Sequence, residues 1–186
     1  NMSGGRNSEF GDFDMASLYL IRHGEPEVLG VLLGQLDPPL SAAGRQAAAT
    51  ALTGIRVEAA WSSPLCRARE TAGFINCQSL VELAELKELD QGDWTGKTWL
   101  EVEAGWPDLA ARKLDDWLGV EAPGGETWDA FLARVRQGWE MIRGGAFPAA
   151  VIAHQGVNAA LLYLITGRNP VEFAQGYGEV IELKYD

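Results

Sequence analysis

Two histidines and two arginines occupy positions from which an anion with several oxygens could be handled. His23 and His154 are the chain's only histidines; His154 directly follows the apolar run Ala149 to Ala153, and His23 follows Leu18 to Ile21 with only Arg22 between. Arg22 adjoins His23, and Arg67 follows the run Ala59-Ala60-Trp61 past Ser62 and Ser63. An arginine's planar fork binds phosphoryl oxygens in pairs. A neutral imidazole can attack phosphorus and hold it as a covalent intermediate. The chemistry such a set supports is phosphoryl transfer, in which most of the gain comes from stabilising charge on the transferring group. A lone histidine at a strand end is usually structural, and an arginine at a helix start is usually solvated. Arg22 is harder to set aside, because a charge abutting an apolar strand needs a partner. The joint placement carries the reading.

The elements that must position these residues alternate. Leu18 to Ile21 reads as a buried strand, Ala59 to Trp61 and Ala149 to Ala153 as further short apolar strands, Ser79 to Leu83 as a third strand in chain order, and Val180 to Tyr185 as a last strand with alternating apolar and charged positions. Helices are expected from Ser41 (as N-cap) to Leu52, and from Ser63-Pro64 (N-cap and first helical position) to about Ile75. Residues Thr98 to Leu118 carry helical periodicity broken by Pro107; further helices run from Thr127 to Arg143 and from Gly156 to Ile165. Strands alternating with helices predict an α/β domain, a mostly parallel central sheet flanked by helices in three layers. In such sheets ligands bind beyond the C-terminal strand ends, which is where both histidines fall.

The 186-residue chain suits one domain, with 47% hydrophobic residues to supply its core. Residues 1–14 lack periodic apolar positions and read as an expression leader or a flexible tail, with Met15 as the natural start and 15–186 as the folded domain. A net charge of −11 disfavours nucleic acid or an anionic membrane as partner, while leaving room for a small anion in a locally basic pocket. No run approaches the ~20 apolar residues of a membrane span, and no signal peptide is recognisable, so the expected location is the cytoplasm. Cys66 and Cys77, if on one helix, lie ~16 Å apart, too far for a disulfide; they read as buried free thiols. Two cysteines and two histidines so scattered do not form a zinc site, and no metal or cofactor is expected.

Four segments, in order, closely resemble the motifs of the histidine phosphatase superfamily, the phosphoglycerate-mutase-like fold. They are Leu20-Ile21-Arg22-His23-Gly24-Glu25; Ser62-Ser63-Pro64-Leu65-Cys66-Arg67 onward to Ala72; Leu86-Lys87-Glu88 with Gly92-Asp93-Trp94-Thr95-Gly96; and Ala153-His154-Gln155-Gly156-Val157. The resemblance implies that His23 is the phosphorylated nucleophile and that Arg22, Arg67, His154 and Gln155 bind the phosphoryl oxygens. It implies that Glu88 is the general acid and then the base that activates water. From spacing alone, Glu88 reads equally as a surface carboxylate. Pro26, Leu29 and Gln155 depart from the family pattern, which puts substrate choice in question more than chemistry.

Phosphoglycerate mutases of the resembled family usually carry extra segments and run longer, so the resemblance implies hydrolysis in preference to mutase activity. The stretches Gly34 to Ser41 and Pro123 to Thr127 resemble those of α-ribazole phosphatases, which implies substrate contacts for Gln35 and Glu126 and α-ribazole 5′-phosphate as the ester. A broad-specificity phosphatase, a phosphoglycerate mutase, and a phosphate-binding module without turnover are the other readings. Trp94, Trp99, Trp106, Trp117 and Trp128 crowd the middle of the chain, either as a compact aromatic core or, in part, as a stacking surface for an aromatic substrate. The apolar last strand and the tryptophan-rich middle could support a homodimer, though nothing in the sequence requires one.

Overall fold

The computed structural model describes residues 16–185; the segment expected to be a leader lies outside them. Five strands form one sheet in the order β3-β2-β4-β1-β5. They are β1 (Ala16–Arg22), β2 (Arg56–Ser62), β3 (Asn76–Glu82), β4 (Ala149–Ala153) and β5 (Val180–Tyr185). β1, β2, β3 and β4 run parallel, and β5 pairs antiparallel with β1. The helices are α1 (Ala42–Ala51), α2 (Cys66–Ala72), α3 (Trp99–Gly105), α4 (Pro107–Asp115), α5 (Trp128–Arg143) and α6 (Gln155–Thr166).

The period of two along each strand divides the core between the two faces of the sheet. Leu18, Leu20, Ala149, Val151 and Ala153 face Phe131, Val135, Ile142, Val157 and Leu161 of α5 and α6. Ile21, Ala60, Ala150 and Ile152 face Leu52, Ala68 and Ala72 on the α1–α2 side. These are the three layers the sequence predicts. Phe131 is fully buried, so Phe131→Ala should cost about 3–5 kcal/mol. A third, smaller cluster joins Trp94, Val102, Ala110 and Ala122 to Trp99 and Trp106, and Trp128 packs against the main core, so four of the five central tryptophans contribute to core packing.

Most helix starts follow from local chemistry. Ser41 Oγ accepts from Gly44 N (2.9 Å), Thr98 forms a capping box with Glu101, Pro107 opens α4, and Thr127 Oγ1 accepts from Ala130 N (3.1 Å). The start of α2 differs from expectation. Its N-cap is Leu65, not Ser63, because Leu65 N donates to Ser63 Oγ (3.2 Å) and that hydroxyl also meets His154 Nε2 (2.8 Å). α2 ends at Ala72, three residues early, with Gly73 as its C-cap. Cys77 therefore lies on β3 rather than on one helix with Cys66, and both thiols are free but only half-buried. Among the described residues, no helix is long and apolar enough to cross a membrane.

Candidate active site

The ends of β1, β2 and β4 converge. His23 N donates to Ala153 O (2.9 Å) and Ser63 N to Ile152 O (3.0 Å), which ties the residues after three strands into one floor. His23 is 3% exposed and His154 is fully buried; their rings meet edge-on, with centroids 5.1 Å apart.

The His23 ring is held by its neighbours. Nδ1 lies 2.7 Å from Gly24 O, a contact that requires a proton on Nδ1. Nε2 then presents its lone pair, which accepts from Arg67 Nε at 3.2 Å. Gly24 N in turn donates to Thr71 Oγ1 (2.9 Å), which donates to Arg67 O (2.7 Å), so α2 braces both the nucleophile's backbone and the arginine. Burial is the main cause that lowers the His23 pKa to about 3; the Gly24 contact opposes it, and Arg67 and Arg22 add to it. Burial likewise drives His154 well below the ordinary range, reinforced by His23 and both arginines. Both imidazoles are neutral at physiological pH.

Arg67 is 1% exposed, and its fork also donates to Leu36 O (2.6 Å) and Gly34 O (2.9 Å). Gly34 takes the left-handed backbone (φ 49°) that side chains disfavour, which lets its carbonyl turn inward. Arg22 Nη1 donates to Gln155 Oε1 (3.1 Å) and to Gln175 O (2.5 Å), and its guanidinium lies 4.0 Å from the Tyr177 ring centre. Tyr177 also faces His23, with ring centroids 5.6 Å apart. Burial lowers the pKa of both arginines, yet a guanidinium remains charged in proteins. Two buried groups in this cluster, Arg22 Nε and His154 Nδ1, have no hydrogen-bond partner among the described residues. A buried polar atom without a partner is costly, and a phosphoryl oxygen would supply one.

Glu88 stands across from this floor. Its Oε1 accepts from Leu89 N (2.9 Å) and its Oε2 from Gly156 N (3.2 Å). Burial raises its pKa against the pull of those two N–H groups and of Arg67 and Arg22. The residue keeps some accessible area because it lines an open cavity of about 520 Å³, shared with Arg22, Gln155 and Gly156 from the site and with Trp117 and Trp128 from beyond it. The surface-carboxylate reading of Glu88 does not describe this position.

The structure thus brings Arg22, His23, Arg67, Glu88, His154 and Gln155 together. It gives Gln35 and Glu126 partners within the chain. Gln35 Nε2 donates to Glu88 O (3.2 Å). Glu126 lines the cavity, but its carboxylate is taken up by Arg134, through Nε to Oε1 (2.9 Å) and Nη2 to Oε2 (2.7 Å). Arg134 also donates from Nη1 to Glu85 O (2.8 Å) and Lys87 O (2.9 Å), and so clamps the backbone that carries Glu88. Sequence reasoning missed Arg134, Tyr177 and Gln175. Only Arg134 left a signal, being an arginine on the helix face shared by Phe131, Val135 and Gly138.

A family model described as the histidine phosphatase superfamily (branch 1) matches residues 18–186. The metal-independent phosphoserine phosphatase of Arabidopsis thaliana is 30% identical over 166 residues, 82% of this chain and 70% of that protein. The adenosylcobalamin/α-ribazole phosphatase of Salmonella typhimurium is 32% identical over 158 residues, 78% of this chain and 77% of that protein. The crystal structure of the α-ribazole phosphatase of Shigella flexneri superposes with a TM-score of 0.78 at 25% identity, covering 89% of each chain. The chain spans only 39% of the length of mycobacterial relatives to which it is 35% identical over 144 residues.

Proposed function

The chain belongs to the histidine phosphatase superfamily, and from that premise we propose that it is a metal-independent phosphomonoesterase that works through a phosphohistidine at His23. One observation carries the reading: an unprotonated, inward-facing Nε2 on His23, beside two guanidiniums and a second neutral imidazole, with the buried Arg22 Nε and His154 Nδ1 unpartnered among the described residues.

In this reading, His23 Nε2 attacks phosphorus, the N–P bond forms and the ester P–O bond breaks. Glu88 gives its proton to the departing oxygen; its raised pKa keeps the donor form available above the usual carboxyl range. Arg22, Arg67 and His154 hold the transferring oxygens, the two guanidiniums supplying positive charge where a metal would otherwise stand and the neutral imidazole adding a polar contact. Glu88, now a carboxylate, takes a proton from water. The water oxygen attacks phosphorus, the N–P bond breaks, and inorganic phosphate leaves with His23 restored.

The proposed ester is α-ribazole 5′-phosphate. Support comes from the Gly34 to Ser41 and Pro123 to Thr127 stretches, and from the Salmonella and Shigella relatives. The test is phosphate release in the presence of a chelator, by wild type and His23→Ala, from α-ribazole 5′-phosphate, phosphoserine, 3-phosphoglycerate and p-nitrophenyl phosphate. The expected result is turnover by wild type alone, fastest with the ribazole ester. Turnover that needs added metal would contradict the mechanism, and preference for another ester would reassign the substrate.

A further inference from the structure

The cavity beyond Glu88 has a chemical character that the phosphoryl site does not dictate. Its volume of about 520 Å³ lies within the ~300–1,000 Å³ usual for small-molecule pockets. Trp117, Trp128 and Phe131 line it, and the Trp128 and Phe131 rings pack with centroids 5.5 Å apart. Leu114 (60% exposed), Trp117 (44%) and Val171 (54%) also line it and leave apolar surface open to solvent. An apolar surface uncovered around a cavity is what a ligand's apolar face would cover.

The charges in the lining are arranged against an anion. Apart from Arg22, which faces the phosphoryl site, the one cation is Lys113. Its ammonium donates to Trp117 O and to Val120 O (2.6 Å), and its charge lies over the Trp117 ring, 4.9 Å from the centre. Lys113 thereby closes the turn that carries Trp117, with two of its three N–H donors already taken up by the chain. Arg134, which does not itself line the cavity, is bound to Glu126. Glu88 stands ready as the proton donor and Glu126 is paired with Arg134, so beyond Arg22 the wall gives a carboxylate no cation free of partners among the described residues, in a chain of net charge −11.

We propose that this cavity is the leaving-group subsite, that it takes a neutral alcohol with a flat apolar face, and that it selects against leaving groups bearing a carboxylate. The inference rests on the phosphomonoesterase reading above for the orientation of the ester. It separates this chain from any enzyme whose leaving group is serine or glycerate, since those need a cation to receive the carboxylate.

Two esters of equal size isolate the charge: 4-carbamoylphenyl phosphate and 4-carboxyphenyl phosphate. We would measure kcat/KM for both with wild type, and binding of both to His23→Ala by calorimetry. The uncharged ester should be favoured by about tenfold or more in each. Trp117→Ala should raise KM for the uncharged ester about fivefold at little changed kcat. Equal or better use of the carboxylated ester, or a KM indifferent to Trp117, would overturn the inference. No turnover of either ester, with His23→Ala still binding the uncharged one in preference, would refute the phosphatase reading and leave the subsite standing. No preference in turnover or binding would overturn the subsite.

Discussion

Arg134→Met tests how the general acid is held. Methionine keeps much of the aliphatic length while removing every donor. The change deletes the bonds to Glu85 O and Lys87 O, at 2.8 and 2.9 Å, and hydrogen bonds from a charged donor contribute about 1.5–3 kcal/mol each. It also strands the Glu126 carboxylate, whose side chain is 17% exposed against 22% for Arg134. The pair is therefore mostly but not fully shielded, and the solvent that remains trims the loss. The expected destabilisation is about 3–4 kcal/mol, at the lower end of what breaking a buried pair costs. Adding Glu126→Gln should restore about 1–2 kcal/mol, since the stranded charge is then gone. Urea unfolding measures both. The activity readout is kcat/KM for an alkyl phosphate and for p-nitrophenyl phosphate, because only the alkoxide leaving group needs Glu88's proton. A displaced Glu88 should lower the first by about 10²-fold and the second far less. A stability loss under ~1 kcal/mol, or equal losses on both esters, would refute the reasoning that Arg134 acts by fixing Glu88.

Gly156→Ala should lower activity sharply while leaving the fold intact, because a methyl group there overlaps Glu88 Oε1; an unchanged kcat with an unchanged unfolding midpoint would contradict the placement of Glu88. Arg67→Lys keeps charge but loses the fork to Gly34 O and Leu36 O, so kcat/KM should fall about 10²-fold or more, with full retention of activity counting against the geometry. Acid should destabilise the protein through its histidines. His23 has a pKa of about 3 when folded against about 6.5 when unfolded, so as pH falls below about 6.5 the unfolded chain gains a proton that the folded ring refuses, and stability declines toward about 3. The double variant His23→Asn/His154→Asn should show a flatter urea midpoint between those pH values, and a slope equal to wild type would refute the shift.

Legibility in the sequence followed burial. β4 is buried at every position and β1 at Leu18, Leu20 and Ile21, and both appear as short apolar runs because an inner strand of the sheet is covered on both faces. β3 is an edge strand with mostly exposed residues, so its first half carries no apolar signal and the sequence predicts a start at Ser79 where the strand begins at Asn76. The His23 and His154 positions were readable because strand ends in such a sheet converge. The start of α2 was not, because the Ser63 hydroxyl that would cap a helix lies against a histidine from the other end of the chain. The same limit governs Gln35, Glu126 and Arg134. Their motifs and charges are visible, but whether Gln35 or Arg134 meets a substrate or a carbonyl 46 to 53 residues away, and whether Glu126 meets a substrate or Arg134, is settled by tertiary contacts.

The most direct test of the central claim is to trap the intermediate. The protein would be mixed with a phosphomonoester in the presence of a chelator, quenched in alkali within the first turnover, digested, and analysed by mass spectrometry. The account predicts one acid-labile phosphoryl group on His23 in wild type, and none in His23→Ala, which should also be inactive. A phosphoryl group on another residue, or hydrolysis by His23→Ala at the wild-type rate, would contradict it.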